Sequence, residues 1–438
     1  MYKTVNIREF GAAYGGGELW SEAVNQAIKS LGADGGTIYF PAGEYYCGTI
    51  FLESNITLLL DSNAVIYGSK NIDDYSTEHI GCIEAPSFDK CLLFADRKEN
   101  ITIKGYGRIL GNGSGFTAER PMLTRFVRCR NIVFEDVSLG SSGSWCNHFV
   151  LSADIYINRV KICNHVNGNN DGLDFDNCKN VYITNCSINT GDDSICLKSS
   201  TDDICENFLI TNCCISSNTA AIKTGTASKG GFKNIVMNNC VFHDCTLGCI
   251  KLICVDGGTL ENVSISNIIM DNVGSPLFIR IGKRNLKFDR PQEMEYYTMG
   301  QENDGNAGYI KNVMISDIRA NVSVTQKDRT PIMITGLKDR KIENVQINNI
   351  NFSFPGGGNE KDCEAMVAED EFRYPEQYFF GVLPAYAIFA RHIDGLRLSN
   401  IYVNCVHKEL RPPFIAQDIV NQRLSNCNFK EGEQTENV

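Results

Sequence analysis

Short apolar runs recur along this chain, each introduced by an asparagine or aspartate and each alternating apolar with polar positions. They begin at Asn100 (Asn-Ile-Thr-Ile), Asn131, Asp154, Asn180, Asn207, Asn234, Asn262, Asn312 and Asn344, with a degenerate copy at Gly395. From Asp154 to Asn262 the spacings are 26, 27, 27 and 28 residues. Alternation of period two inside each unit predicts a strand, and a steady repeat of this length predicts a solenoid. One unit is too short to bury its own apolar face, so units must stack. The predicted fold is all-β: a single right-handed parallel β-helix over residues 1–438. Wider gaps are coils with inserted loops, placed at about 283–309 and 355–384.

A second register runs five residues behind the first, through Asn185, Asn212, Asn239, Asn267, Asp317, Asn349 and Asn400. Stacked about 4.8 Å apart, these side chains would form a hydrogen-bonded ladder at a turn. Cys186, Cys213 and Cys240 follow the same period and read as small buried core residues. Ser21–Leu31 is amphipathic, with Ala23, Ala27, Ile28 and Leu31 on one face and Ser21 placed to cap it. A helix here would close the open end of the solenoid, within an N-terminal cap of about residues 1–50. Phe372, Tyr374, Tyr378, Phe379 and Phe380 make the second inserted loop aromatic. It either walls a sugar-binding cleft or packs over the side of the solenoid.

The net charge of −11 argues against nucleic acid or an anionic membrane surface as partner. No run of 18 apolar residues predicts a membrane span. The N-terminal stretch has neither an apolar h-region nor a cleavage pattern, so the expectation is a cytoplasmic protein. Its 19 cysteines are then expected to be reduced. No paired C-x-x-C motif exists, and neither metal nor cofactor is expected. Oligomeric state is not readable from the sequence.

The densest polar cluster spans residues 167–200 and places Asp171, Asp174 and Asp176 in one coil and Asp192 and Asp193 in the next. Adjacent coils would bring at least three carboxylates together. Like charges at that distance repel and raise one pKa, as an acid/base pair needs. A calcium site is the structural alternative. Alternation points Lys198, Lys223, Lys251 and Arg280 outward, 18, 16, 17 and 18 residues past their landmarks. Such a cationic column predicts recognition of a carboxylate or of sugar hydroxyls, unless it is simply a solvated face balanced by the aspartates. His148, 17 residues past Asn131, falls near the same sector.

Asn169-Asn170-Asp171-Gly172 resembles the Asn-x-Asp-Gly motif of glycoside hydrolase family 28, the polygalacturonase and rhamnogalacturonase family, and Gly191-Asp192-Asp193 resembles its Gly-Asp-Asp motif. Gly35-Gly-Thr-Ile-Tyr-Phe-Pro-Ala-Gly and the stretch from Pro384 to Leu396 are also similar, so the resemblance spans nearly the whole chain. It implies metal-independent, inverting hydrolysis of an oligosaccharide. Asp192 would protonate the leaving oxygen, Asp171 and Asp193 would activate water, and Asn169 would contact substrate. Inversion implies carboxyl groups roughly 6.5–9.5 Å apart. Two departures stand out. Residues 218–225 lack the histidine of the family's Gly-His-Gly motif, and Gly248–Leu252 keeps a lysine where polygalacturonases carry Arg-Ile-Lys. The pattern looks more like relatives acting on chain ends of pectic or other plant-derived oligosaccharides, with uronic acid or rhamnose units. The rival readings are a carbohydrate-binding β-helix without catalysis and a β-helix lyase or epimerase.

Overall fold

The computed structural model describes residues 3–14, 19–76, 90–284, 306–323 and 330–430. The chain divides into two compact units, residues 1–196 with 208–214, and residues 197–207 with 215–438. Each is a parallel β-helix.

Unit 1 opens with helices α1 (Ile7–Tyr14) and α2 (Ser21–Leu31), packed on each other and on the first strands. Ala23, Val24, Ala27, Ile28 and Leu31 of α2 are buried, the apolar face the periodicity predicts. Ser21 is not its cap. Trp20 precedes the helix without a side-chain capping bond, and the Ser21 hydroxyl accepts a hydrogen bond from Gly48 N at 2.7 Å. The hydroxyl is used to tie the helix to the neighbouring strand turn.

Three ladders of parallel strands build the rest of unit 1. One runs through Cys91–Asp96, Met122–Val127, Asn147–Val150 and Leu173–Asp176. The second runs through Glu99–Gly105, Arg130–Glu135, Ala153–Asn158 and Lys179–Thr184. The third runs through Arg108–Leu110, Ser138–Gly140, Lys161–Asn164 and Ser187–Thr190. Inward residues repeat in register, so Phe126, Phe149 and Phe175 stack face to face with centroids 5.4 and 5.1 Å apart. Stacked rings on successive coils bury large apolar area at the strand spacing.

The landmark positions have a conformational cause. Asn100, Asn131, Asp154, Asn180, Asn207, Asn234, Asn262, Asn312 and Asn344 all have φ between 54° and 63°, and the second register from Asn185 to Asn400 lies between 52° and 58°. Short Asn and Asp side chains tolerate this left-handed region better than other L residues. They also bond along the stack: Asn131 to Asn100 at 2.8 Å and Asn212 to Asn185 at 3.3 Å in unit 1, Asn262 to Asn234 at 3.1 Å and Asn344 to Asn312 at 2.9 Å in unit 2. The described cysteines are free, and Cys186, Cys213 and Cys240 are buried. Contact with Cys213, together with burial, holds the Cys186 thiol far above its ordinary pKa.

Unit 2 stacks longer strands. Ala220–Ser228, Gly248–Cys254, Leu277–Ile281, Ile332–Thr335 and the start of Ile388–Cys405 form one ladder. Gly231–His243, Thr259–Val273, Tyr309–Val322, Ile342–Phe354 and the remainder of Ile388–Cys405 form another. The loop expected at about 283–309 falls largely outside the described residues. The 355–384 segment is described, and it packs onto the outer face of the first ladder. Phe380 and Leu383 are buried there against Ile253, Val255, Phe278, Met333 and Phe389. Of the five aromatics, Phe380 packs over the side of the solenoid, while Phe372, Tyr374, Tyr378 and Phe379 are half-buried.

Candidate active site

The acidic cluster lies wholly in unit 1. Asp171 ends the loop that enters strand Leu173–Asp176, and Asp192 and Asp193 lie in the following coil between Ser187–Thr190 and Ile195–Ser199. Backbone bonds fix the two coils together: Gly172 N donates to Asp193 O at 3.0 Å, Asp192 N to Asn170 O at 3.2 Å, and Gly191 N to Asn164 O at 2.8 Å. Gly172 permits this approach, because a Cβ there would stand 2.5 Å from Ser194 O and 3.1 Å from both Ile188 and Thr190 side chains. Asn170 is buried and donates to the carbonyls of Ser142 and Ser144, anchoring the loop to the preceding coil. Thr190 Oγ1 donates to Asp192 O at 2.6 Å, and Asp193 N donates to Asp192 Oδ1 at 3.0 Å.

Asp171, Asp192 and Asp193 each place one oxygen within 4.8 Å of the other two. Asp171 and Asp193 are buried and Asp192 is half-buried. The 4.8 Å limit is between single oxygens, whereas the roughly 6.5–9.5 Å that inversion implies separates whole carboxyl groups. Two oxygens this close can both hydrogen-bond one water at about 2.8 Å. A second triad, Asp171, Asp174 and Cys196, also has its ligand atoms within 4.8 Å. Among the described residues of this unit, these two overlapping triads are the groups that could hold a cation.

Arg120 was not singled out by the sequence. It donates to Asn169 Oδ1 at 2.8 Å and to Gly168 O at 2.6 Å. Burial lowers its pKa, while the nearby charges of Asp171 and Asp192 act in the opposite direction. Arg120 thus brings a positive charge near Asp171 and Asp192 from a loop 51 residues before Asp171. Asn169 itself is exposed, at φ 51°. His148 is fully buried, edge-on to Trp145 at 5.1 Å, in register between Arg125 and Asp174 on adjacent strands.

The four cations expected to form one column belong to unit 2, and there the expectation needs correcting. Lys223 pairs in register with Lys251, but Lys251 pairs with Phe278, and Arg280 pairs with Ile253. Counting from the asparagines misplaced Arg280 by two residues. A two-residue slip keeps the same face outward, so alternation cannot detect it. Nor are these residues solvated: Lys198, Lys223, Lys251 and Arg280 are all buried. Lys223 and Lys251 both donate to Glu376. Arg280 donates to the carbonyls of Glu369 at 2.7 Å and Asp370 at 2.9 Å, and burial followed by the adjacent Arg391 lowers its pKa to about 10.

Stacked parallel strands with carboxylates from consecutive coils define a β-helix with an acidic site. This chain belongs to the glycosyl hydrolases family 28, whose model matches residues 88–370. It is 28% identical over 225 residues to a probable polygalacturonase of Vitis vinifera, covering 46% of this chain and 45% of that one. It is 26% identical over 251 residues to an exo-poly-alpha-D-galacturonosidase of Dickeya chrysanthemi, covering 44% and 41%. The chain spans about half the length of these curated relatives. Its fold matches a family 28 exopolygalacturonase of Yersinia enterocolitica with a TM-score of 0.68 at 18% identity, over 99% of this chain and 79% of that one.

Proposed function

We propose that this protein is a glycoside hydrolase acting from the ends of pectic or other plant-derived oligosaccharides, with inversion at the anomeric carbon. The observation that carries the reading is the approach of Asp171, Asp192 and Asp193 to within 4.8 Å of one another on two adjoining coils. Crowding of like charges favours a proton on one of them, and general-acid catalysis needs such a proton. Asp192, the least buried of the three, is assigned as the acid that protonates the leaving oxygen. Asp171 and Asp193 hold the attacking water and take its proton. The water adds to the anomeric carbon as the bond to the leaving oxygen breaks. The loop anchored by Asn170, with Asn169 held by Arg120, forms one wall of the sugar position. Exo action is supported by the likeness to the Dickeya chrysanthemi protein, named an exo-poly-alpha-D-galacturonosidase.

The test is a panel of defined oligosaccharides with uronic acid, galactose or rhamnose termini, followed by product analysis and by NMR of the first-formed anomer. Release of single terminal sugars with inverted configuration is expected, and activity should survive a chelator. Retention would reassign one aspartate as a nucleophile. A product with a new double bond would mean a lyase. Loss of activity on chelation would favour a calcium-dependent site.

A further inference from the structure

The segments 113–121 and 165–171 of unit 1 are tied together beside the aspartates. Asn167 donates to Gly113 O at 3.2 Å and to Phe116 O at 2.5 Å. Arg120 reaches the other way, from Nη1 to Gly168 O at 2.6 Å and from Nη2 to Asn169 Oδ1 at 2.8 Å. Its own carbonyl accepts from the Ser144 hydroxyl at 2.8 Å, and Pro121 O accepts from Gly143 N at 2.9 Å. A Cβ at Gly168 would stand 3.2 Å from Nη1, so the guanidinium lies close against this backbone. Gly168 and Asn169 are exposed, and Arg120 and Asp192 are half-buried. The guanidinium therefore stands at a rim open to solvent.

Asp171 needs such a neighbour. Asp192 and Asp193 face it from the next coil, and Asp174 and Cys196 crowd it as well. His148 stands in register beside Asp174. Asp171 is only 3% exposed, whereas Asp192 is half-buried. Burial favours the neutral form of a carboxyl group. By burial alone, Asp171 would keep the shared proton and Asp192 would ionise, which is the reverse of the roles of base and acid. Burial lowers the pKa of Arg120, while the charge of Asp171, followed by that of Asp192, raises it. Coulomb attraction is mutual, so Arg120 favours the ionised form of Asp171 more than that of Asp192. In a coupled set, an unequal partner of this kind decides where the proton rests.

We infer that Arg120 is a positioning residue for the hydrolysis: it holds Asn169 at the rim and keeps Asp171 ionised, which leaves the shared proton to Asp192. The inference deepens the proposed roles of these aspartates and rests on them.

Arg120→Met and Arg120→Lys separate the charge from the loop contacts. The substrate is a galacturonate-ended oligosaccharide that the wild type cleaves. A base works only when ionised, and without the cation Asp171 keeps its proton to higher pH. The acid limb of the kcat/KM profile should therefore move up by about one pH unit in Arg120→Met. Arg120→Lys keeps the charge but loses the planar fork, so its acid limb should stay at the wild-type position while its KM rises. Identical acid limbs in all three proteins, with KM raised in both variants, would reduce Arg120 to a loop anchor and overturn the inference. Melting of the full chain gives a second reading without turnover. The melting temperature lost on Arg120→Met should shrink more in an Asp171→Asn background than in an Asp192→Asn background. Equal or reversed coupling would also overturn it. An active Asp171→Asn enzyme would overturn the aspartate roles themselves. An inactive one, with the acid limb of Arg120→Met unmoved, would overturn this inference alone.

Discussion

The acidic cluster of unit 1 and the buried cations of unit 2 look alike in the sequence, because both are charged residues that alternate outward from a repeating strand. Their surroundings separate them. Asp171, Asp192 and Asp193 crowd against one another, with the charge of Arg120 nearby. Lys223, Lys251 and Arg280 are answered by Glu376 and by the backbone carbonyls of one anchored loop. Crowded like charges shift one another's protonation, which chemistry can use. Opposite charges buried together hold a loop in place. An outward charge on a β-helix is therefore read from what covers it, not from its phase in the repeat.

Substitution should separate the two regions along different axes. In the acidic cluster it should cost activity and spare stability. Asp171→Asn and Asp193→Asn should lower kcat by roughly 10²-fold or more. Their melting temperatures should equal or exceed wild type, because each change removes a like charge from a crowded set. A large loss of stability in either would mean that the cluster is structural.

Among the unit 2 charges the pattern should invert. Glu376→Gln should destabilise the protein by roughly 3–5 kcal/mol, the cost of leaving buried charges without their partner. Denaturant titration followed by circular dichroism reads this directly. A change of less than about 1 kcal/mol would place this ion pair with exposed ones.

The loop over unit 2 should also respond to acid. Burial alone would raise the pKa of Glu409, but hydrogen bonds from Arg411 and the backbone N–H groups of Arg411 and Gly358 hold it below the usual carboxylate range. A carboxylate lowered in the folded state contributes stability that is present above its unfolded pKa and lost as pH falls through the folded one. Hydrogen exchange across residues 359–385 should therefore quicken below about pH 4. In Glu409→Gln it should be fast already at neutral pH. Exchange that ignores both pH and the substitution would show that the ends of the loop are held by its apolar contacts alone.

The smallest effect tests the repeat itself. Asn234→Ala removes a ladder bond to Asn207 and one from Asn262, and it puts alanine at φ 56°. A loss of about 1–3 kcal/mol is expected. Asn234→Gly keeps the left-handed turn available and should lose less.

What the sequence made legible follows from distance along the chain. The asparagine landmarks, the Cys186–Cys213 spacing and the helix at Ser21–Leu31 are local or periodic, and each appears in the structure at its expected position. The aspartate motifs are only one coil apart, so their meeting was legible as well. Glu376 lies 125 and 153 residues from its two lysines, on a segment without periodicity. Arg120 reaches the aspartates from an irregular loop. Register within the outward face was also hidden, because Ile253 and Lys251 share the same alternation and the sequence cannot choose which one stands beside Arg280.

Asp192→Asn, assayed on two substrates with the same sugar but leaving groups of different acidity, tests the central assignment most directly. Asparagine keeps the shape and cannot transfer the proton. The account predicts a fall in kcat of roughly 10²–10⁴ on an ordinary sugar leaving group, and a much smaller fall on an activated one that needs little protonation. Full activity of the variant, or an equal loss on both substrates, would contradict Asp192 as the general acid.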